Sequence, residues 1–118
     1  MPKLRVRVEE ADGVKVLALE GEVDLSTVEE FIQRLFEVTA SGRERIVLDL
    51  TPATFIDSMV VDAHFASIAR IRRLGGDLAI VCPNPDLRRI LEITGLDAIF
   101  VTTDDRPQAL AALTGAQA

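Results

Sequence analysis

Asp57 and Ser58 are the residues best placed to carry chemistry in this chain. They follow the apolar run Ile46–Leu50 and the segment Thr51–Ile56, which contains Pro52. The run reads as a strand that feeds, through a short turn, into an Asp-Ser pair opening a helix. A serine hydroxyl held at a helix start, beside a carboxylate, suits a reversible phosphate. The free N–H groups and the dipole of a helix N-terminus favour an anion there. The same hydroxyl also reads as an ordinary N-cap. Asp62 stands four residues beyond Ser58, on the same helical face. A phosphate on Ser58 would be favoured by the helix end and opposed by that like charge.

Other chemistries are poorly served. His64 is the single histidine. Six residues along one helix would turn it about 240° away from Ser58, so a Ser-His-Asp relay is not expected and His64 reads as a surface or partner-facing residue. One His and one Cys do not make a metal site, and none is expected. Cys82 ends an apolar strand and reads as core; a lone cysteine excludes an internal disulfide. Asp24 and Asp57 could be imagined as paired carboxylates of a hydrolase, but nothing in the sequence around them would raise a carboxyl pKa. Locally, each also reads as an acid near a helix start. Met59 fits either the core or a soft contact at a partner surface, and the Arg88-Arg89 pair reads as a solvated helix face. No cofactor is expected.

The chain has 118 residues, 48% of them hydrophobic, which fits one domain (1–118, core about 4–113) burying roughly two thirds of its unfolded surface. Its net charge of −6 disfavours nucleic acid, which needs a basic footprint. Neither a signal-peptide pattern nor an apolar run of membrane-spanning length is found, so a cytoplasmic protein is expected.

The elements that must position Ser58 follow from patterning. Leu4–Glu9 alternates as a half-buried strand, Asp12-Gly13 signals a hairpin, and Val14–Leu19 is a second strand. Ser26 with Glu29 reads as a capping box that starts a helix at Ser26 or Thr27, and Gly42 would end it. Ile46–Leu50 is a buried strand. Ser58–Arg73 reads as one helix, with Arg70, Arg72 and Arg73 complementing its dipole in the last turn. Leu78–Cys82 is a strand, and Asn84-Pro85-Asp86 starts a helix that Gly95-Leu96 stops. Ile99–Val101 is a last strand before a helix opened by Asp105 and Pro107, and the tail 114–118 should fray. The order β-β-α-β-α-β-α-β-α describes an α/β domain, its mixed sheet covered mainly on one face by helices.

Three segments stand in register along this order: Gly21-Glu22-Val23-Asp24-Leu25, Phe55-Ile56-Asp57-Ser58 and Leu91-Glu92-Ile93-Thr94-Gly95-Leu96. Together they closely resemble the STAS domain of bacterial anti-sigma factor antagonists, over about Leu4 to Leu113. The resemblance implies the STAS-type, SpoIIAA-like fold. It implies a switch protein, not an enzyme, that binds an anti-sigma factor with serine kinase activity while unphosphorylated. By position, Ser58 matches the phosphorylated serine, Asp57 the acid before it, and Asp24 the acid of the first motif, which in such domains lies close to the serine. The partner surface would then hold Asp24, Asp57, Ser58, Met59 and Asp62. A monomer or weak dimer fits. An alternative stays open: an unphosphorylated STAS subunit of a lipid-transport ATPase or a signalling scaffold.

Overall fold

The computed structural model describes residues 2–41 and 44–114, so Gly42 and the tail from 115 lie outside the described residues. Strands β1 (Leu4–Ala11) and β2 (Val14–Val23) form the opening hairpin. Asp12 and Gly13 both take positive φ, 53° and 75°, as the tightest hairpin turns require.

β2 has ten residues, and its two halves have different neighbours. β3 (Arg45–Asp49) runs parallel to residues 15–18, and β4 (Ala53–Ile56) runs parallel to residues 21–23. The change falls at Gly21, where the register slips. Gly21 has φ 110°, and a Cβ there would lie 2.1 Å from the Lys3 carbonyl oxygen. Its N–H donates to the Pro52 carbonyl, while the next amide, of Glu22, donates to the Lys3 carbonyl at 2.9 Å. Only glycine fits this crossing, which accounts for the first residue of the Gly21–Leu25 segment.

β4 was not expected. After β3, Leu50 pairs with Val81 and the Ala53 amide donates back to the Leu50 carbonyl, so the chain turns onto the free half of β2. β4 buries Ala53 and Ile56 but exposes Thr54 and Phe55, a pattern without alternation. The sheet is completed by β5 (Asp77–Val81) and β6 (Val101–Thr103), both parallel, in the order β1-β2-β3-β5-β6 with β4 beside β2.

Helix α1 (Val28–Val38) buries Val28, Phe31, Ile32, Leu35 and Val38. It begins after Thr27, and the expected capping box does not form: Thr27 donates to the Glu22 carbonyl and Ser26 is drawn to Asp24. The single helix expected over Ser58–Arg73 is two, α2 (Ser58–Ala63) and α3 (Phe65–Arg73), broken at His64. Nδ1 of His64 lies 2.9 Å from the Val60 carbonyl oxygen, the acceptor that the His64 amide would use in a continuous helix. That amide donates to Val61 instead.

α4 (Pro85–Thr94) is capped by Asn84, whose side chain accepts from the Asp86 amide, and stops at Gly95 with φ 83°. A short turn, α5 (Leu96–Ile99), follows and buries Leu96, with Phe100 buried just beyond it. Ile99 is therefore helical, and the last strand starts two residues later than expected. α6 (Arg106–Thr114) closes the described chain.

The helices α1 to α5 pack on the face of the sheet that carries Leu17, Leu19, Ile46, Leu48, Leu78 and Ile80. The opposite face carries Val14, Val16, Val47, Ala79 and Val81 and is covered by Ala109 and Leu113 of α6. Cover is thus mainly on one face, with α6 the exception. Asp49 shares this second face: its buried carboxylate accepts from Arg106 Nε at 2.7 Å and from both the amide and hydroxyl of Thr51. Burial pushes the Asp49 carboxyl up, but these hydrogen bonds outweigh it and hold the group below its ordinary value. Arg106 also reaches Glu9 on β1 at 2.7 Å.

Candidate functional site

The site begins where two parallel strands stop together. Val23 of β2 pairs with Ile56 of β4, and the Asp57 amide donates to the Val23 carbonyl at 2.9 Å. Asp24 and Asp57, one residue past each strand, therefore stand at the same corner of the sheet. Asp24 is held from several sides. Lys3 Nζ lies 2.5 Å from its Oδ2, and the amide and hydroxyl of Ser26 donate to its Oδ1. The hydrogen bond from Lys3, supported by Ser26, holds the Asp24 carboxyl far below the usual carboxylate range. The same contact raises the Lys3 ammonium.

Asp57 is the N-cap of α2. Its Oδ1 accepts from the Met59 amide at 2.9 Å and the Val60 amide at 3.2 Å. This replaces the reading of Ser58 as the cap: Ser58 is the first helical residue, and its hydroxyl is not the group that closes the helix end. It also changes the electrostatics. Two amide hydrogens that would favour a phosphate on Ser58 already serve the Asp57 carboxylate.

Ser58 is half-buried and lines a recess of about 180 Å³ with Met59, Asp62, Ile93 and Thr94. Met59 is 81% exposed, which settles its place at the surface and not in the core; Ile93 is 64% exposed. The third segment of the sequence thus enters the recess through Ile93 and Thr94, which are not among the residues expected on the partner surface. Thr94 is buried, and its hydroxyl donates to the Ile90 carbonyl at 2.9 Å, fixing the last turn of α4 opposite Ser58. The signal for Ile93 was present: it is an apolar residue off the buried set Leu87, Leu91 and Thr94 of α4. Leu25, beside Asp24, is 80% exposed.

The structure brings Ser58, Met59 and Asp62 together, places Asp57 beside them as cap, and sets Asp24 at the neighbouring strand end. It does not bring His64 to Ser58. The imidazole Nδ1 is engaged by the Val60 carbonyl, and the ring lines a separate groove with Glu29, Ile32 and Phe36 of α1. Cys82 is buried, and burial raises its thiol. Of the Arg88-Arg89 pair, Arg89 is exposed, as a solvated helix face requires, while Arg88 is half-buried: its Nε donates to the Cys82 carbonyl at 2.8 Å and its Nη2 to Asp104. Among the described residues no cluster of three or more metal-ligating side chains occurs, and no helix is long and apolar enough to cross a membrane.

The corner thus gathers acidic side chains and a half-buried serine between the exposed apolar side chains of Met59 and Ile93. Residues 5–109 match the STAS domain model, and the chain belongs to that family. An anti-sigma F factor antagonist of Paenibacillus polymyxa is 30% identical over 111 residues, covering 93% of this chain and 95% of the relative. An anti-sigma factor antagonist of Mycobacterium paratuberculosis has a crystal structure at 28% identity with a TM-score of 0.76, covering 94% of each chain. SpoIIAA in its unphosphorylated form shares the fold at 18% identity with a TM-score of 0.72, covering 94% of this chain and 97% of that one.

Proposed function

We propose that this chain is an anti-sigma factor antagonist that binds its anti-sigma factor through the corner of Asp24, Asp57, Ser58, Met59 and Asp62 while Ser58 is unmodified. In this reading the partner is also a serine kinase. It transfers the γ-phosphoryl group of ATP to Ser58 Oγ, the hydroxyl proton leaves to a base on the kinase, and ADP departs. The chain supplies the acceptor hydroxyl and no catalytic group, so it is a regulatory binding module of the cytoplasm. The observation that carries the reading is the placement of Ser58 in a recess walled by exposed Met59 and Ile93 and by Asp62. The names of the relatives support the partner class.

Phosphate at this position adds about −1.5 to −2 charges. It adds them between Asp57 and Asp62, with the nearby amides of Met59 and Val60 already taken. A surface that accepts a partner's apolar and basic groups would thereby become a concentrated, strongly hydrated anion, and the complex would separate.

Incubation with the cognate anti-sigma factor and ATP is expected to add one phosphate by intact mass, lost in Ser58→Ala, and Ser58→Asp is expected to abolish complex formation. A modified Ser58→Ala protein, or a Ser58→Asp protein that still binds, would overturn the reading. Retention by a membrane ATPase in place of an anti-sigma factor would support the accessory-subunit alternative.

A further inference from the structure

We propose that β1 is a self-pairing edge, through which two copies of this chain join their sheets. β1 is the first strand of the sheet order, and among the described residues no strand lies on its outer side. It is eight residues long, about 27 Å at the usual rise per residue, and pairs with β2 without a bulge or a proline. Such an edge is an open template unless charge or shape blunts it. Here the charges are of mixed sign, Arg5 and Arg7 followed by Glu9 and Glu10, and Val8 between them is 41% exposed.

The occupant follows from charge complementarity. Two identical strands can pair antiparallel about a two-fold axis. Only alternate residues direct their N–H and C=O groups outward, so the axis must pass through a residue and not between two. An axis through Arg5, Arg7, Glu9 or Glu10 sets that charge against itself. An axis through Val6 sets Arg5 against Arg7 of the second copy. Only an axis through Val8, among residues 5 to 10, avoids every like-charge pair. It opposes Val8 to Val8 and Arg7 to Glu9 of the second copy, twice by symmetry.

The side chains needed are within reach. Arg7 is 54% and Glu9 50% exposed, each sharing one intrachain partner, Glu20 and Arg106 respectively. The pairing leaves the Ser58 corner out of the joint. Leu4, at the start of β1, lies opposite Gly21 near Asp24, and the two-fold sends the two starts of β1 to opposite ends of the paired strands. A dimer would present two corners, facing apart.

Single cysteines in a Cys82→Ala background test the register, since Cys82 is the chain's only native thiol. Val8→Cys places two thiols directly opposite, whereas Arg5→Cys and Glu10→Cys place theirs several residues apart. Under mild oxidation Val8→Cys is expected to form a disulfide dimer at least about tenfold faster than the other two, because bridging demands Cα atoms within about 7 Å. Sedimentation equilibrium of the unmodified chain is expected to show a mass rising with concentration toward the dimer. Equal cross-linking rates at the three positions, or a monomer mass at every concentration, would overturn the proposal.

Discussion

Asp57 holds the amide of Met59 at 2.9 Å, and so the acid next to the candidate phosphosite is also the cap of the helix that presents it. A capping oxygen is what the contact requires, not a charge. Asp57→Ala is therefore expected to lower stability by about 1 kcal/mol, and Asp57→Asn to stay near the parent. Urea unfolding of the three proteins checks this. Loss of partner binding in Asp57→Asn with stability intact would separate the role of the charge from that of the cap.

Gly21 sits where β2 passes from β3 to β4, in a left-handed conformation and against the Lys3 carbonyl. Gly21→Ala must shift either backbone, and a cost of at least about 2 kcal/mol is expected. Since Lys3 is the residue displaced, the amide resonances around Asp24 should move with it in a ¹⁵N correlation spectrum. An alanine variant with parent stability would show that the crossing relaxes freely.

The parts of this architecture that were legible in the sequence are those written in local chemistry. Asp12-Gly13, Asn84-Pro85 and Gly95-Leu96 each appear where their backbone preferences place them. The buried strands around Ile46–Leu50 and Leu78–Cys82 were equally plain. The misses are of another kind. β4 exists because half of β2 was left unpaired, which is a tertiary demand that a four-residue segment does not display. The break at His64 depends on a side-chain nitrogen claiming one carbonyl, and the surrounding pattern stays helical through it. The three segments and the residues just after Ser58 already pointed to Asp24, Asp57, Ser58, Met59 and Asp62 as candidates, and the paired strand ends and the recess set them about one corner. Ile93 became part of it only when the sheet brought the end of α4 across from Ser58.

The pair of Asp49 and Arg106 ties the middle of the sheet to the start of α6 on its second face. Asp49 is an acid within an apolar strand, and removing its guanidinium partner leaves a buried carboxylate with only Thr51. Arg106→Leu is expected to cost about 1.5–3 kcal/mol near neutral pH. The lowered carboxyl sets the sign with pH. Its contribution is complete above the unfolded carboxylate range, about pH 4, and is lost as pH falls through the lower folded value. The urea midpoint of the parent should therefore fall more steeply than that of Arg106→Leu as pH falls from 5 toward 3. Parallel curves would refute the assignment.

Lys3 holds Asp24 through a 2.5 Å contact at the rim of the site. That contact keeps the carboxyl ionised far below its usual range. Lys3→Gln should bring the Asp24 titration back toward ordinary carboxylate values, followed by the carboxyl ¹³C shift against pH. Because the pair is partly open to solvent, added salt should move the parent titration in the same direction. If Asp24 titrates alike in parent and variant, the lysine does not set its charge.

Crowding of anions at the start of α2 makes a separate prediction about the modified state. The Met59 and Val60 amides are taken by Asp57, and Asp62 lies one turn along from Ser58. A negative group on residue 58 thus gains little from the helix end and meets two like charges. Ser58→Glu is expected to be less stable than Ser58→Gln by about 0.5 kcal/mol at low ionic strength. The difference should shrink in high salt and in the Asp62→Asn background. If Ser58→Glu were instead the more stable of the two, the helix end would dominate, and phosphorylation would tighten this corner as well as recharge it.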